Sequence, residues 1–156
     1  MAEMIYIFDI DGTLADLSHR LHLITRKPDH TPNAADWRAF FAACPNDKPI
    51  DEVIRVARIL WDAGYGIVLI SGRSDEVEAA TTSWLVKHDV QFSGLYMRKQ
   101  GDHREDSVVK SELLDQLIKD RPGGVEIGGV FEDRKQVVDM YRARGLRVFQ
   151  VADGNF

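Results

Sequence analysis

The sequence predicts an α/β fold in which a mainly parallel sheet is covered by helices on both faces. Short apolar runs rich in Ile, Val, Phe and Tyr alternate with stretches whose apolar residues recur at helical spacing. Strands that alternate with helices pair in parallel, and a parallel sheet needs helices on both sides. The 156 residues, 44% hydrophobic and 29% charged, suffice for one globular domain and hardly for two.

The first run, residues 4–10 (MIYIFDI), ends at Asp-Gly and reads as a buried strand. Residues 66–70 (GIVLI) repeat the pattern and end at Ser71-Gly72; residues 94–97 (GLYM), 129–131 (GVF) and 147–152 (RVFQVA) are weaker versions. Between them, Ile54, Ala57, Ile59, Leu60 and Trp61 give one helical face, stopped by Ala63-Gly64. Val77, Ala80, Trp84, Leu85 and His88 give a second, opened by Ser74-Asp75-Glu76, an N-cap followed by acids that suit the helix dipole. Helices over 108–118 and 137–144 complete the set, the last closed by Gly145. The stretch 14–49 breaks the alternation. It carries His19, Arg20, His22, Arg26, Lys27 and His30, then a helical patch over 37–41, and reads as a small lid inserted after the first strand of a single domain, 1–156.

Composition narrows the function. A single cysteine, Cys44, excludes an internal disulfide and a Cys-rich metal site, and the five His show no zinc-binding spacing. No apolar run approaches the roughly 18 residues of a membrane span, and the N-terminal Met-Ala-Glu-Met has no basic flank, so a cytoplasmic, reducing setting is expected. The net charge of −5 has the wrong sign for a broad nucleic-acid grip, so any such contact should be local, as at a strand end.

Ligands of a parallel sheet sit beyond the carboxyl ends of its strands, and the chemistry-bearing residues cluster there. After the first run, Asp9 and Asp11 stand at i and i+2, which on an extended strand projects both carboxylates to one side. Such a pair repels itself unless a cation intervenes, which suggests Mg²⁺; a solvated turn is the alternative. After the second, Ser71 offers a hydroxyl, Gly72 a close backbone approach and Arg73 a two-pronged donor for phosphate. Lys110 falls at a predicted helix start, where a cation opposes the dipole and implies an anionic neighbour. The fourth run ends in a second acidic pair, Glu132-Asp133, with helix capping by Asp133 as the plainer reading. Two carboxylate pairs, a hydroxyl and two cations converging on one sheet edge describe a phosphoryl-transfer site. Trp61, Trp84 and Phe92 read as packing. Trp37, Phe40 and Phe41 read as packing within the lid, with stacking on a base as the alternative. Arg98, Lys99, His103 and Arg104 form a basic loop that either meets a nucleic-acid backbone or is solvated among Asp102, Glu105 and Asp106.

These motifs resemble those of the haloacid-dehalogenase-type phosphatases: FDIDGTLA the first, LISGR the second, Lys110 the third and FEDR the fourth. A narrower resemblance, in KQGDHREDSVVKSEL, FEDRKQVVDMYRARGL and FQVADGNF, is to the 3′-phosphatase domain of phage-type polynucleotide 5′-kinase/3′-phosphatases. It implies a Rossmann-like (HAD-like) fold and Mg²⁺-dependent removal of 3′-phosphates from DNA or RNA ends through an aspartyl-phosphate. Asp9 would then be the nucleophile, Asp11 the general acid and base, and Lys110 the neutralising cation. Mg²⁺ would be held by Asp9, the Asp11 backbone carbonyl and Asp133, with Glu132 orienting a metal-bound water. Ser71 and Gly72 would hold phosphate oxygens, Arg20 and Arg73 would grip the phosphate or its sugar, and Asp106 would orient Lys110 or an arginine. No G-x-x-x-x-G-K-[ST] loop occurs in the chain, so no kinase activity is expected of it, and a separate polynucleotide kinase or ligase becomes a possible partner. A nucleotidase acting on free mononucleotides and a non-catalytic phosphate-binding module are the alternatives. Oligomeric state is not legible.

Overall fold

In the computed structural model, which describes residues 2–25, 28–29 and 31–155, the first apolar run forms strand β1 (Glu3–Phe8). Arg26, Lys27 and His30 of the inserted stretch lie outside the described residues. Two short strands, β2 (Ala15–Asp16) and β3 (Lys48–Pro49), follow, then β4 (Gly66–Ser74), β5 (Gly94–Arg98), β6 (Val125–Glu132) and β7 (Val148–Gln150). The helices are α1 (Ala34–Ala42), α2 (Asp51–Asp62), α3 (Glu78–Lys87), α4 (Asp106–Lys119) and α5 (Lys135–Ala143).

Five strands pair in the order β5-β4-β1-β6-β7, every pair parallel, as the sequence predicts. The two-residue period of a strand divides the apolar residues between two cores. Ile5, Ile7, Val68, Ile70 and Val130 face Leu114 and Leu117 of α4 and Val137, Val138 and Tyr141 of α5. Phe8, Ile67 and Leu69 face Ile54 and Ala57 of α2 and Trp84 and Leu85 of α3. Each fully buried Ile, Leu or Phe contributes about 1.5–3 kcal/mol, so the sheet is secured from both sides. Trp84 is buried, and Trp61 and Phe92 pack against the same core.

The chain moves outward from β1 to β4 to β5, then returns through α4 to place β6 on the other side of β1. The order reverses at β1, and the crevice beyond its carboxyl end is where such sheets bind ligands.

The structure shortens the first strand. β1 ends at Phe8, two residues before the apolar run does, because Ile10 turns back into the core instead of continuing the ladder. The Ile10 carbonyl accepts from the N–H groups of Thr13, Leu14 and Ala15, closing a tight turn. The second strand runs longer than its apolar stretch, to Ser74.

The inserted stretch leaves and rejoins the domain through β2 and β3, which pair antiparallel (Ala15 with Pro49, Asp16 with Lys48). Between them lie a 3₁₀ segment (Ser18–Leu23), α1 and a second 3₁₀ turn (Cys44–Asn46). Asn33 opens α1 with a reciprocal capping box to Asp36, satisfying two end donors at once.

Candidate active site

Four segments converge beyond β1: the turn after it, the end of β4, the first turns of α4 and the end of β6. Asp9 extends the sheet by one last bond, its N–H donating to the Phe131 carbonyl (3.0 Å). Its side chain is buried. Lys110 Nζ donates to Asp9 Oδ1 at 2.8 Å and to Glu132 Oε2 at 2.9 Å, and Thr13 Oγ1 donates to Asp9 Oδ2 at 3.3 Å. Glu132 Oε1 accepts from the N–H groups of Asp133 (3.1 Å) and Arg134 (3.2 Å), so both its oxygens are engaged. Because α4 begins at Asp106, Lys110 is its fifth residue, on the buried face one turn in, and not at its very start.

One lysine faces three buried carboxylates, and their proton affinities show the imbalance. Burial, then the Glu132 charge, pushes Asp9 up to about 8. Burial, then Asp9, pushes Asp133 up to about 7, and burial raises Glu132. For Lys110, burial opposes the charge, but Asp9 and Glu132 outweigh it and hold the ammonium well above its ordinary value. Asp9, Glu132 and Asp133 each bring a carboxylate oxygen within 4.8 Å of the others. A set of hard oxygen donors carrying excess negative charge fits Mg²⁺. Gly12 makes the cluster possible: its φ is +83°, and a Cβ there would lie 2.1 Å from Asp133 Oδ2. Asp133 does not cap α5, whose N-cap is Arg134 without a side-chain bond.

Asp11 lines the same cavity as Asp9, but the turn brings it there, not strand alternation. Its Oδ1 accepts from Arg20 Nη2 (2.7 Å) and from Arg73 Nε (3.0 Å) and Nη2 (2.7 Å). Desolvation alone would raise Asp11, yet Arg73 and Arg20 outweigh it and hold the carboxyl below its usual value.

The sequence reading puts Arg20 and Arg73 on the phosphate or sugar; the structure puts both beneath the cavity wall, 0% exposed. Their other partner is Asp47, which sequence reasoning missed. Asp47 accepts from Arg20 Nε and Nη2 (both 2.8 Å) and from Arg73 Nη2 (2.9 Å), and bonds His19 Nε2 at 2.7 Å. Arg73 Nη1 donates to Thr81 Oγ1 at 3.1 Å and Arg20 Nη1 to the Phe40 carbonyl at 3.3 Å. The guanidinium of Arg20 also sits 4.3 Å over the Phe40 ring. These two arginines therefore hold Asp11. No motif surrounds Asp47; only its convergence with residues 20 and 73 in space reveals it.

Ser71 is buried, and its Oγ accepts from the Arg73 N–H at 3.1 Å. Gly72 lines the cavity, and a Cβ there would lie 2.2 Å from Asp106 Oδ1. Asp106 pairs with two arginines, Arg98 Nη2 at 2.6 Å and Arg134 Nη1 at 3.0 Å, and not with Lys110. Arg98 also donates to the Gly72, Asp102 and Arg104 carbonyls, fastening the loop that carries Lys99, His103 and Arg104 onto β4. Arg104 is itself paired with Asp102 and Glu112. Asp9, Asp11, Gly72, Asp106, Lys110, Glu132 and Asp133 all line one cavity of about 890 Å³.

Fold and site together define a phosphatase of the haloacid-dehalogenase type. The family model for the polynucleotide kinase PNKP phosphatase domain matches residues 3–156, and the chain belongs to that family. A chain of the solved Pnkp1/Rnl/Hen1 complex is 30% identical with a TM-score of 0.81, covering 99% of this chain and 48% of its own length. A protein of Autographa californica nuclear polyhedrosis virus, described as a bifunctional polynucleotide kinase/RNA ligase, is 35% identical over 77 residues, 49% of this chain and 11% of the viral one. The chain thus spans half or less of the length of these relatives. The class C acid phosphatase from Bacillus anthracis, 15% identical with a TM-score of 0.63 over 92% of this chain and 61% of its own, shares the fold. Among the described residues, no helix is long and apolar enough to cross a membrane.

Proposed function

We propose that the chain is a Mg²⁺-dependent phosphomonoesterase that removes 3′-phosphates from nucleic-acid ends through an aspartyl-phosphate on Asp9. The observation that carries this is the Lys110–Asp9 pair at the switch point, with Asp11 on the same cavity, in a chain of this family. Asp9 attacks phosphorus, the bond from phosphorus to the ester oxygen breaks, and the leaving hydroxyl takes its proton from Asp11. Water then attacks the aspartyl-phosphate, gives its proton to Asp11 and releases inorganic phosphate with Asp9 restored.

Arg20 and Arg73 keep Asp11 ionised in the free protein, the form that accepts a proton from water. A phosphate dianion arriving beside it adds negative charge and raises its proton affinity, supplying the form that donates. Lys110 neutralises Asp9 so that two anions can meet. Asp9 and Asp133 would hold Mg²⁺ with the Asp11 backbone carbonyl, and Glu132, its oxygens already engaged, would orient them. The ion, when bound, supplies positive charge to the transferring phosphoryl group. The relatives' kinase, ligase and repair-complex names favour a setting in nucleic-acid end repair, with a kinase or ligase as partner.

The test is phosphate release, with and without chelator, from a 3′-phosphorylated oligonucleotide, its 5′-phosphorylated counterpart and free 3′- and 5′-mononucleotides. Strong Mg²⁺-dependent preference for 3′-phosphates is expected, lost in Asp9→Asn. A preference for free 5′-mononucleotides would overturn the substrate; full activity of Asp9→Asn would overturn the chemistry.

A further inference from the structure

Besides the loop from Arg98 to Glu105, two stretches of the cavity wall are opposite in character. One is the phosphoryl site, with Asp9, Asp11, Lys110 and Asp133. The other is apolar and comes from the insert: Leu17, Leu21 and Ile24 beside Trp37 and Phe41 of α1. Phosphate alone would have no use for this second wall.

Trp37 and Phe41 are four residues apart, hence neighbours on one face of α1. Their rings lie 6.0 Å apart at 30°, close to parallel, and both are half-buried. Phe40, by contrast, is buried, stands edge-on to Trp37 (88°) and covers Arg20. Neither Trp37 nor Phe41 joins the two cores of the sheet, and Leu21 beside them is 39% exposed. Two half-buried aromatic rings thus line the cavity that holds the phosphoryl site. At about 890 Å³ that cavity has room for much more than a phosphate. A ligand matching both walls has an anionic phosphoryl group at one end and a flat, apolar, polarisable ring at the other.

We infer that Trp37 and Phe41 form a stacking subsite for the nucleobase of the nucleotide that bears the phosphate. The inference rests on the 3′-phosphatase reading and adds to it which part of the strand is gripped. The net charge of −5 gives little long-range hold on a strand, so recognition falls on the terminal nucleotide itself. Stacking is sequence-tolerant, since every base has a π-face, so the enzyme should accept all four bases and discriminate against none strongly.

The experiment compares two 3′-phosphorylated oligonucleotides identical except at the last nucleotide, which carries either a base or an abasic sugar. Loss of one stacked base costs on the order of tenfold in kcat/KM, so the wild-type protein should favour the base-bearing end by about that ratio. In Trp37→Leu the ratio should fall toward one, Trp37→Phe should restore most of it, and Phe41→Leu should lower it independently. Because the readout is a ratio within one variant, a general loss of folded protein does not imitate it. Equal wild-type rates on the two ends, with 3′-phosphates still preferred over 5′-phosphates, would overturn the subsite and leave the 3′-phosphatase reading standing. Failure on both 3′-ends, with Asp9-dependent hydrolysis of another phosphomonoester, would overturn that reading and the subsite with it.

Discussion

Replacing Asp47 by Ala removes the carboxylate that accepts three hydrogen bonds from two guanidinium groups, all three side chains being 0% exposed. Among the described residues, Arg20 and Arg73 are then left with only the Asp11 carboxylate between them, one negative charge for two buried positive ones. Breaking one partner out of a buried ion pair costs about 3–5 kcal/mol, because the remaining charge stays desolvated without compensation. With a urea m-value of about 2 kcal/mol/M, a loss near 4 kcal/mol moves the unfolding midpoint down by about 2 M. Asp47→Asn, which keeps one oxygen acceptor but turns an amide toward a donor, should fall between Ala and wild type. The surviving folded protein should also lose turnover, up to about a hundredfold, since Asp11 is no longer held in place. The assay is urea unfolding followed by Trp fluorescence, together with kcat on a 3′-phosphorylated oligonucleotide. A midpoint within about 0.5 M of wild type, with kcat unchanged, would refute the buried network as the support of Asp11.

The acidic cluster sets a pH dependence. Asp9 and Asp133 rise from an ordinary 3.8 to about 8 and about 7 in the folded protein. Between those limits the folded chain binds protons that the unfolded chain has lost, so metal-free stability should fall as pH rises from about 4 to about 8. Melting temperature against pH should show this decline, and Mg²⁺ or Asp9→Asn should flatten it; a metal-free profile level across the range would contradict the cluster's electrostatics. Gly12→Ala adds a Cβ against Asp133 Oδ2 at positive φ. It should cost about 1–2 kcal/mol of stability and raise the Mg²⁺ concentration for half-maximal activity about tenfold or more, read by metal titration of the rate.

The sheet and its helices were legible because their periodicities are local. The runs 4–10 and 66–70 announce buried strands, and the helical faces around Ile54 and Trp84 reappear as the inner faces of α2 and α3, except that Ile59, five residues past Ile54 and so turned well off that face, is 61% exposed. The strand end at Phe8 was not legible, since Ile10 is as apolar as its predecessors and only the three amides folded onto its carbonyl show that the chain has turned. The site residues were legible by type more than by direction. Arg20 and Arg73 stand where a phosphate clamp would, but the sequence does not say that a buried acid 27 residues beyond Arg20 draws both away from the cavity. The clash of Lys110 with the helix dipole says only that an anion is near; the family resemblance supplied Asp9, 101 residues earlier, and neither pointed to Glu132, the second partner of its ammonium. Long-range electrostatics of this kind leaves no local pattern.

The same knot of charges bears on how the insert behaves. Arg20 and Asp47 stand on its two limbs, Phe40 of α1 is tied to Arg20 by carbonyl and ring, and Asp11 and Arg73 belong to the body of the domain. Swinging the insert outward as a rigid flap would tear apart the two ion pairs that cross to the body, Arg20–Asp11 and Arg73–Asp47, and at about 3–5 kcal/mol fewer than roughly one molecule in a hundred would stand open. The limbs of the insert that carry Arg20 and Asp47 are therefore a fixed wall. On the proposed 3′-phosphatase reading, a nucleic-acid end would reach Asp9 through the cavity that α1 and the loop of Lys99, His103 and Arg104 line, so access would be filtered by a standing aperture and not by a moving door.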